Sequence, residues 1–304
     1  MTLRNPRIPH QSSTPTQQRA PHRTPPTRPD PQQTWGLLLR LAAPVASYGA
    51  GSAFHHRDTA RHPTRSAVTG ILAAAAGRDK EHALDPFTEL PGAPGYHDLR
   101  LTIRADKPGT VHTDYHVTGG GYPRAMSLPT SAGARRSPNR SALPTHRDYL
   151  HDAAFTLALT GPAALIKTIA THLEQPRHAP FLGRRACLPD EPLLLRGPHP
   201  DPHHQLLHHA PLTLHRPPAP TAATVPVTFW WEEQPRHTPA GDAEAEQLND
   251  QPLDFTPHTR SHASHTWWRT TEQLPLHLYP GPRPHPALAD YCREQEPCPC
   301  SPPA

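Results

Sequence analysis

Two groups of residues in this sequence have types and spacings suited to binding an anion, and a third group invites a metal. The first is "PRHAPFLGRRACLP", Pro176–Pro189, where Gly183, Arg184 and Arg185 follow the apolar pair Phe181 and Leu182. A guanidinium grips phosphate in a bidentate fork, and a glycine beside it lets a backbone approach closely. A capping or core-bracing role for one of the two arginines is the competing reading. The second group runs from 107 to 147, with six basic residues against the single acid Asp114, and Tyr115, His116, Tyr122, Arg124, Arg135, Arg136, Arg140 and Arg147 strung along it. Arginines on phosphates and aromatic rings on splayed bases are how single-stranded RNA is gripped. A solvated loop would have the same composition. The third group is the 25 histidines, densest in "HHQLLHH" (His203, His204, His208, His209). Prolines flank that run and no carboxylate completes a metal motif, so no metal is expected there.

Other chemistry is thinly supported. There is no G-x-S-x-G elbow and no coherent Cys/His pair. "TGGGYP" (118–123) lacks the lysine and the Ser/Thr of a phosphate loop and reads as a turn. The start of a helix at "HPTRS" (62–66) offers free N–H groups to a phosphate, with Arg65 reinforcing it. Cys187, Cys292, Cys298 and Cys300 are too sparse for a disulfide framework, which points to a reducing, cytoplasmic compartment.

Positioning these residues requires ordered elements, and the sequence offers them in a band. The chain has 304 residues, of which 44 are Pro and 17 Gly, with only 18% charged, so ordered modules separated by Pro-rich loops are expected. The net charge of +4 hides an asymmetry. Residues 1–33 carry five Arg and one Asp, residues 34–150 are basic by five charges, and residues 151–304 are acidic by five. That split suggests a polyanion-binding first half and a protein-facing second half, with mere fluctuation of charge along the chain as the competing reading. No apolar run reaches membrane-spanning length.

Residues 1–33 read as a flexible basic extension. "WGLLLRL" reads as a buried strand ended by Pro44. "TRSAVTGILAAAAG" reads as a helix capped by Thr64 or Ser66 and stopped by Gly77. "HDLRLTIRAD" alternates as a half-exposed strand with a basic outer face, and "TVHTDYHV" (110–117) as a second strand. A strand through Ala153–Leu159 and a helix "PAALIKTIATHLEQ" with Pro162 at its first position come next. The loop "FLGRRAC" and a short strand "PLLLRG" complete the set. Strand, helix, strand, strand, helix, strand is the split βαβ order of a ferredoxin-like α+β fold. Beyond residue 198 the signals weaken, with "TVPVTFWW" (224–231) and "HTWWR" (265–269) as strands among Pro/His-rich loops. The expected division is 1–33 extension, 34–197 ferredoxin-like domain with a thumb at about 115–147, 198–288 mostly β C-terminal portion, and 289–304 flexible tail.

Four blocks, "LLLRLAAPVASYGAGSAFHHRDTARHPTRSAVTGILAAAAG", "DYHVTGG", "HRDYLHDAAFTLAL" and "PRHAPFLGRRACLPDEPLLLRG", taken in order and spacing, resemble the CasD family. Its members are the RAMP-superfamily subunits of type I-E CRISPR Cascade surveillance complexes. The match covers most of Trp35–Gly197 and leaves out residues 1–33 and the Cys-rich tail. The resemblance implies a RAMP domain with a β-hairpin thumb that grips the 5′ handle of the guide RNA, packed against the backbone and large subunits, with no cofactor, no metal and no membrane. Carried onto this chain, the RNA-binding candidates are Tyr48, Arg57, Arg65, Ser66, Tyr115, His116, Arg124, Arg147, Gly183, Arg184 and Arg185. A non-catalytic RNA-binding role is expected. The alternative is a metal-independent endoribonuclease acting on CRISPR precursor RNA, with Tyr48, Tyr115 or His116 as its acid or base.

Overall fold

A computed structural model describes residues 34–49, 51, 55–119, 123–130, 132–137, 142–219, 221–236 and 242–294. The expected extension 1–33, Tyr122, Arg140, Cys298 and Cys300 lie outside the described residues.

The chain is a mixed α/β structure built on one large, mainly antiparallel sheet. Its strands are β1 (Thr34–Ala46), β2 (His56–Arg57), β3 (Arg100–Lys107), β4 (Thr110–Thr118), β5 (Leu143–Pro162), β6 (Leu194–His199), β7 (Thr224–Trp231), β8 (Glu244–Asp254) and β9 (Ser261–Pro275). The helices are α1 (Arg65–Ala75), α2 (Ala163–Glu174), α3 (Pro202–His208) and α4 (His285–Arg293). None of the described helices is long and apolar enough to cross a membrane. The main path runs β6-β1-β5-β3-β7-β9-β8, with β2 and β4 both paired to β5.

Period-2 alternation decides what each central strand buries. Leu37, Leu39 and Leu41 of β1, Leu101 and Ile103 of β3, and Phe155, Leu157 and Leu159 of β5 point to one face, where α1 and α2 supply Val68, Leu72, Leu165 and Ile169. Leu38 and Ala158 point to the other face, against Leu206, Leu212, Phe229, Leu278 and Leu288. Each face is covered because α3, α4 and the segment after α3 fold back over the second one.

Two expectations are corrected. Most of the "basic outer face" of β3 is buried: Arg104 is fully enclosed and Thr102 nearly so, while Arg100 at the strand's start stays partly exposed. Arg40 of β1 is enclosed beside it. Both guanidiniums converge on Asp106: Arg40 pairs with its Oδ2, and Arg104 Nε donates to its Oδ1 at 2.6 Å. Thr156 donates to the same carboxylate at 2.8 Å, and Arg40 Nε donates to Glu191 at 2.6 Å. Arg104 also donates to the carbonyls of Leu206, Ala210 and Pro211, which fastens the segment after α3 to the sheet. The second correction concerns Pro44, which does not end β1. The pairing with β5 passes from Ala43↔Ala153 to Val45↔His151, skipping Pro44, and Asp152 across from it takes a positive φ of 51°. A proline lacks the N–H a ladder needs, and a local irregularity lets the strand continue past it.

The helices follow their local signals. Thr64 caps α1, its hydroxyl accepting from the Ala67 amide at 3.3 Å, and Gly77 closes it at φ 72°. Pro162 stands at the N-cap of α2, one residue before the expected position. Helix α4 runs to Arg293, past residue 289 where the sequence reading begins its tail.

Candidate nucleic-acid interface

Strand β5 is twenty residues long and does two jobs. Its C-terminal half lies between β1 and β3 in the sheet. Its N-terminal half leaves that core and carries β4 on one side, from Thr110↔His151 to Thr118↔Leu143. On the other side it carries the two-residue β2, in parallel, His56↔His146 and Arg57↔Arg147. The result is a three-stranded ribbon, with Tyr115 63% exposed and Val117 also open.

The loop after α2 is pinned against this ribbon. Leu182 and Cys187 are buried in the core and tie the loop to itself, the Leu182 amide donating to the Cys187 carbonyl at 2.7 Å. The Leu182 carbonyl then accepts from the Ser47 amide at 3.0 Å. Gly183 sits at φ 92°, and a Cβ there would stand 1.6 Å from the Ser47 carbonyl oxygen. The close approach that glycine permits is therefore to the chain's own backbone. Pinned this way, the loop delivers Arg184 and Arg185 to the ribbon.

The two arginines differ. Arg184 donates to the carbonyls of Asp148 and Arg57, both at 3.0 Å, and its guanidinium lies 4.4 Å from the Tyr149 ring centroid. Arg185 is exposed and makes no side-chain hydrogen bond or ion pair with the described residues. Arg57 is exposed on β2, and Arg147, its register partner, is half-buried with Nε 3.3 Å from Thr145 Oγ1. Like charges directly opposite one another repel. Asp148 does not relieve them: His56 Nε2 lies 2.8 Å from its Oδ2 and Thr113 donates to its Oδ1 at 2.7 Å. Asp114 is opposite Arg147 in register, and its carboxylate lies 3.8 Å from His116 Nδ1. Tyr115 packs on His146 with ring centroids 5.5 Å apart.

Of the eleven residues the sequence singled out, Arg57, Tyr115, His116, Arg147, Gly183, Arg184 and Arg185 thus meet on or beside the ribbon. Arg124 opens a short 3-10 turn, and its side chain lies outside the described residues. Tyr48, Arg65 and Ser66 are inside. Tyr48 is fully buried against Phe155, and burial pushes its hydroxyl far up in pKa, so neither stacking on a base nor proton transfer at neutral pH is open to it. The N-terminus of α1, expected to face a phosphate, is filled by the chain's own acid. Asp250 of β8 accepts from the Arg65 amide at 2.8 Å and from the Trp267 indole at 3.0 Å. Burial alone would raise that carboxyl; the His265 imidazole 3.3 Å away, with hydrogen bonds from the Arg65 amide and Trp267, holds it below the ordinary value. The Arg65 guanidinium pairs with Glu232 and donates to the Tyr96 and Leu99 carbonyls. Ser66 is buried with it. Sequence reasoning missed His56, His146, Asp148 and Tyr149. Three of these stand in the "HRDYL" block, and alternation along a strand longer than expected would have placed them on the ribbon's two faces.

Away from the ribbon, just before α1, lies a pH-sensitive group. His62 is buried between Trp230 and Trp267, ring centroids 4.7 and 5.1 Å away. Burial lowers its pKa from the ordinary imidazole value, with the neighbouring Pro63 carbonyl and acids offsetting only part. Above pH of about 6.5 it is neutral folded or unfolded, and its protonation costs nothing. As pH falls below that, the unfolded chain takes a proton the folded one refuses, so stability drops. His62→Leu is expected to flatten the fall in thermal midpoint between pH 7 and pH 5; an unchanged slope would exclude His62 as its source.

No group of three or more His, Cys, Asp or Glu among the described residues is arranged to hold a metal ion. In "HHQLLHH" the His204 ring lies 4.8 Å from that of His208 and 5.0 Å from that of His209 on α3 and its C-cap, without a carboxylate among them.

A family model described as CRISPR-associated protein (Cas_Cas5) matches residues 36–266. The chain is 32% identical over 186 residues to the CRISPR system Cascade subunit CasD of Escherichia coli (strain K12), covering 58% of this chain and 77% of that one. A chain of a solved CRISPR RNA-guided surveillance complex superposes with a TM-score of 0.72 at 38% identity, over 85% of this chain and the whole of that one. A solved Cas protein superposes with a TM-score of 0.50 at 26% identity, over 82% and 100%.

Proposed function

The chain belongs to the CRISPR-associated Cas5 family, and from that membership we propose that it is the CRISPR RNA-binding subunit of a type I-E Cascade surveillance complex, non-catalytic, gripping the 5′ handle of the guide RNA beside the other Cascade subunits in antiviral defence. The likeness to CasD and to a chain of an RNA-guided surveillance complex supports a place in such an assembly. Residues 34–197 form the ferredoxin-like RAMP module of this reading. The order β6-β1-β5-β3 supports it, since renumbered in chain order it is 4-1-3-2 with α1 and α2 as the two crossovers on one face. The β4–β5 hairpin is the thumb, and the strands from β7 onward are the smaller C-terminal portion, extending the same sheet.

One observation carries the RNA assignment. Arg57 and Arg147 are register partners, the exposed Arg185 follows Arg184, which bonds the Arg57 carbonyl, Asp148 is already engaged, and Asp114 faces Arg147 in register from β4. Such a strip gains stability from an external anion, and a phosphate backbone supplies a row of them. Tyr115 and His146 on the other face of the ribbon offer flat surfaces to an unstacked base.

Single Arg57→Ala, Arg147→Ala and Arg185→Ala substitutions are each expected to weaken guide RNA binding and to lower the slope of log affinity against log salt by about one. Binding unchanged at every salt concentration would remove that residue from the interface. Cleavage of repeat RNA by the isolated chain would favour the endoribonuclease reading instead.

A further inference from the structure

We propose that Arg184 is a positioning residue: it clasps β2 onto β5 and thereby sets Arg57 in the anion-binding strip, without itself contacting RNA. This rests on the RNA-binding reading above, but the clasp is a property of the free chain.

The geometry already commits Arg184 within the chain, although only two of the five donors of a guanidinium are used. Two of its N–H groups are spent on carbonyls, of Asp148 on β5 and of Arg57 on β2, and its flat face is spent on the Tyr149 ring. A planar fork with fixed donor directions suits this bridging of two backbones. Strand β2, by contrast, has few ties of its own. It is two exposed residues long, held by its parallel pairing, by the His56–Asp148 contact and by the His146 amide donating to the His55 carbonyl at 2.8 Å. Arg184 is the bridge that connects β2, β5 and the loop fastened at Ser47. Arg185 next to it is exposed and uncommitted. The neighbouring arginines of "GRR" thus divide the work: one fastens, the other faces outward.

The test has two arms. In the RNA-free chain, Arg184→Ala is expected to speed hydrogen exchange of the His146 amide, whose acceptor lies in the segment leading into β2, by at least about tenfold. Amides at the centre of β1, such as Leu39, keep their protection and show that the fold is intact. Arg184→Lys keeps the charge but loses the fork, and is expected to exchange as fast as Arg184→Ala; Arg185→Ala is expected to leave His146 unchanged. In the RNA arm, Arg57→Ala and Arg184→Ala each weaken guide RNA binding roughly tenfold, the worth of one charge-assisted hydrogen bond, while the double substitution weakens it no further. Unchanged His146 exchange in Arg184→Ala would overturn the clasp. Independent, multiplying losses in the double variant, or full rescue by Arg184→Lys, would make Arg184 a direct phosphate contact. If the unsubstituted chain retains no RNA, the proposed function fails, and the exchange arm still decides the clasp.

Discussion

Replacing Asp106 with alanine is expected to cost about 3–5 kcal/mol of stability, the range for breaking a buried ion pair by removing one partner. Its carboxylate is the common partner of Arg40 and Arg104, all three side chains being fully enclosed. Without it Arg40 retains Glu191, Thr156 and Thr213, whereas Arg104 keeps only three carbonyls. A guanidinium with no counter-charge then sits between the sheet and the segment after α3. Asp106 and Glu191 now hold the Arg40 pKa up against the burial that lowers it. Thermal or denaturant unfolding reads the loss directly. The double variant Arg104→Met/Asp106→Leu removes the charge together with its counter-charge, and is expected to recover a large part of it. A single Asp106→Ala variant within about 1 kcal/mol of the original chain would show that the cluster is not what fastens the second face.

Gly183→Ala is expected to cost about 3 kcal/mol or more, because two penalties coincide there. The backbone is at φ 92°, where an L side chain is strained, and the added Cβ would enter the Ser47 carbonyl. That carbonyl is backbone and cannot step aside like the end of a flexible side chain. Relief would pull Leu182 from the core or break the Ser47–Leu182 hydrogen bond, and Arg184 and Arg185 would move with the loop. Guide RNA retention should fall with stability. Gly133→Ala is the matched control: φ is 77° but, among the described residues beyond its chain neighbours, no atom lies within 4 Å of the new Cβ, so about 1–2 kcal/mol is expected. Equal losses at the two positions would show that the contact with Ser47 contributes nothing.

The elements with strong local signals were legible in the sequence. Thr64 and Gly77 bracket α1 as their types dictate, and the leucines of β1 and the Ala153–Leu159 run mark the strands at the centre of the sheet. What the sequence concealed was long-range. Arg104 alternates with apolar residues as a surface arginine would, and only the return of α3 over the sheet buries it. Arg65 opens a helix in a pattern suited to an anion, but the anion is Asp250, 185 residues away. Strand β8 and helix α4 carry too little local pattern to stand out among Pro/His-rich loops. For the site, the arginine pair after Phe181–Leu182 and the basic hairpin were visible as chemistry. That one of the pair is occupied by carbonyls and an aromatic ring was not, because its partners come from β2 and from β5.

The most direct test of the central claim is to recover the tagged full-length chain from cells carrying the other Cascade subunits, and to sequence the RNA and identify the proteins that come with it. Guide RNAs with a uniform 5′ end, together with Cascade subunits, both reduced by the triple variant Arg57→Ala/Arg147→Ala/Arg185→Ala, are the expected result. Recovery of the chain with neither RNA nor Cascade subunits would contradict the account.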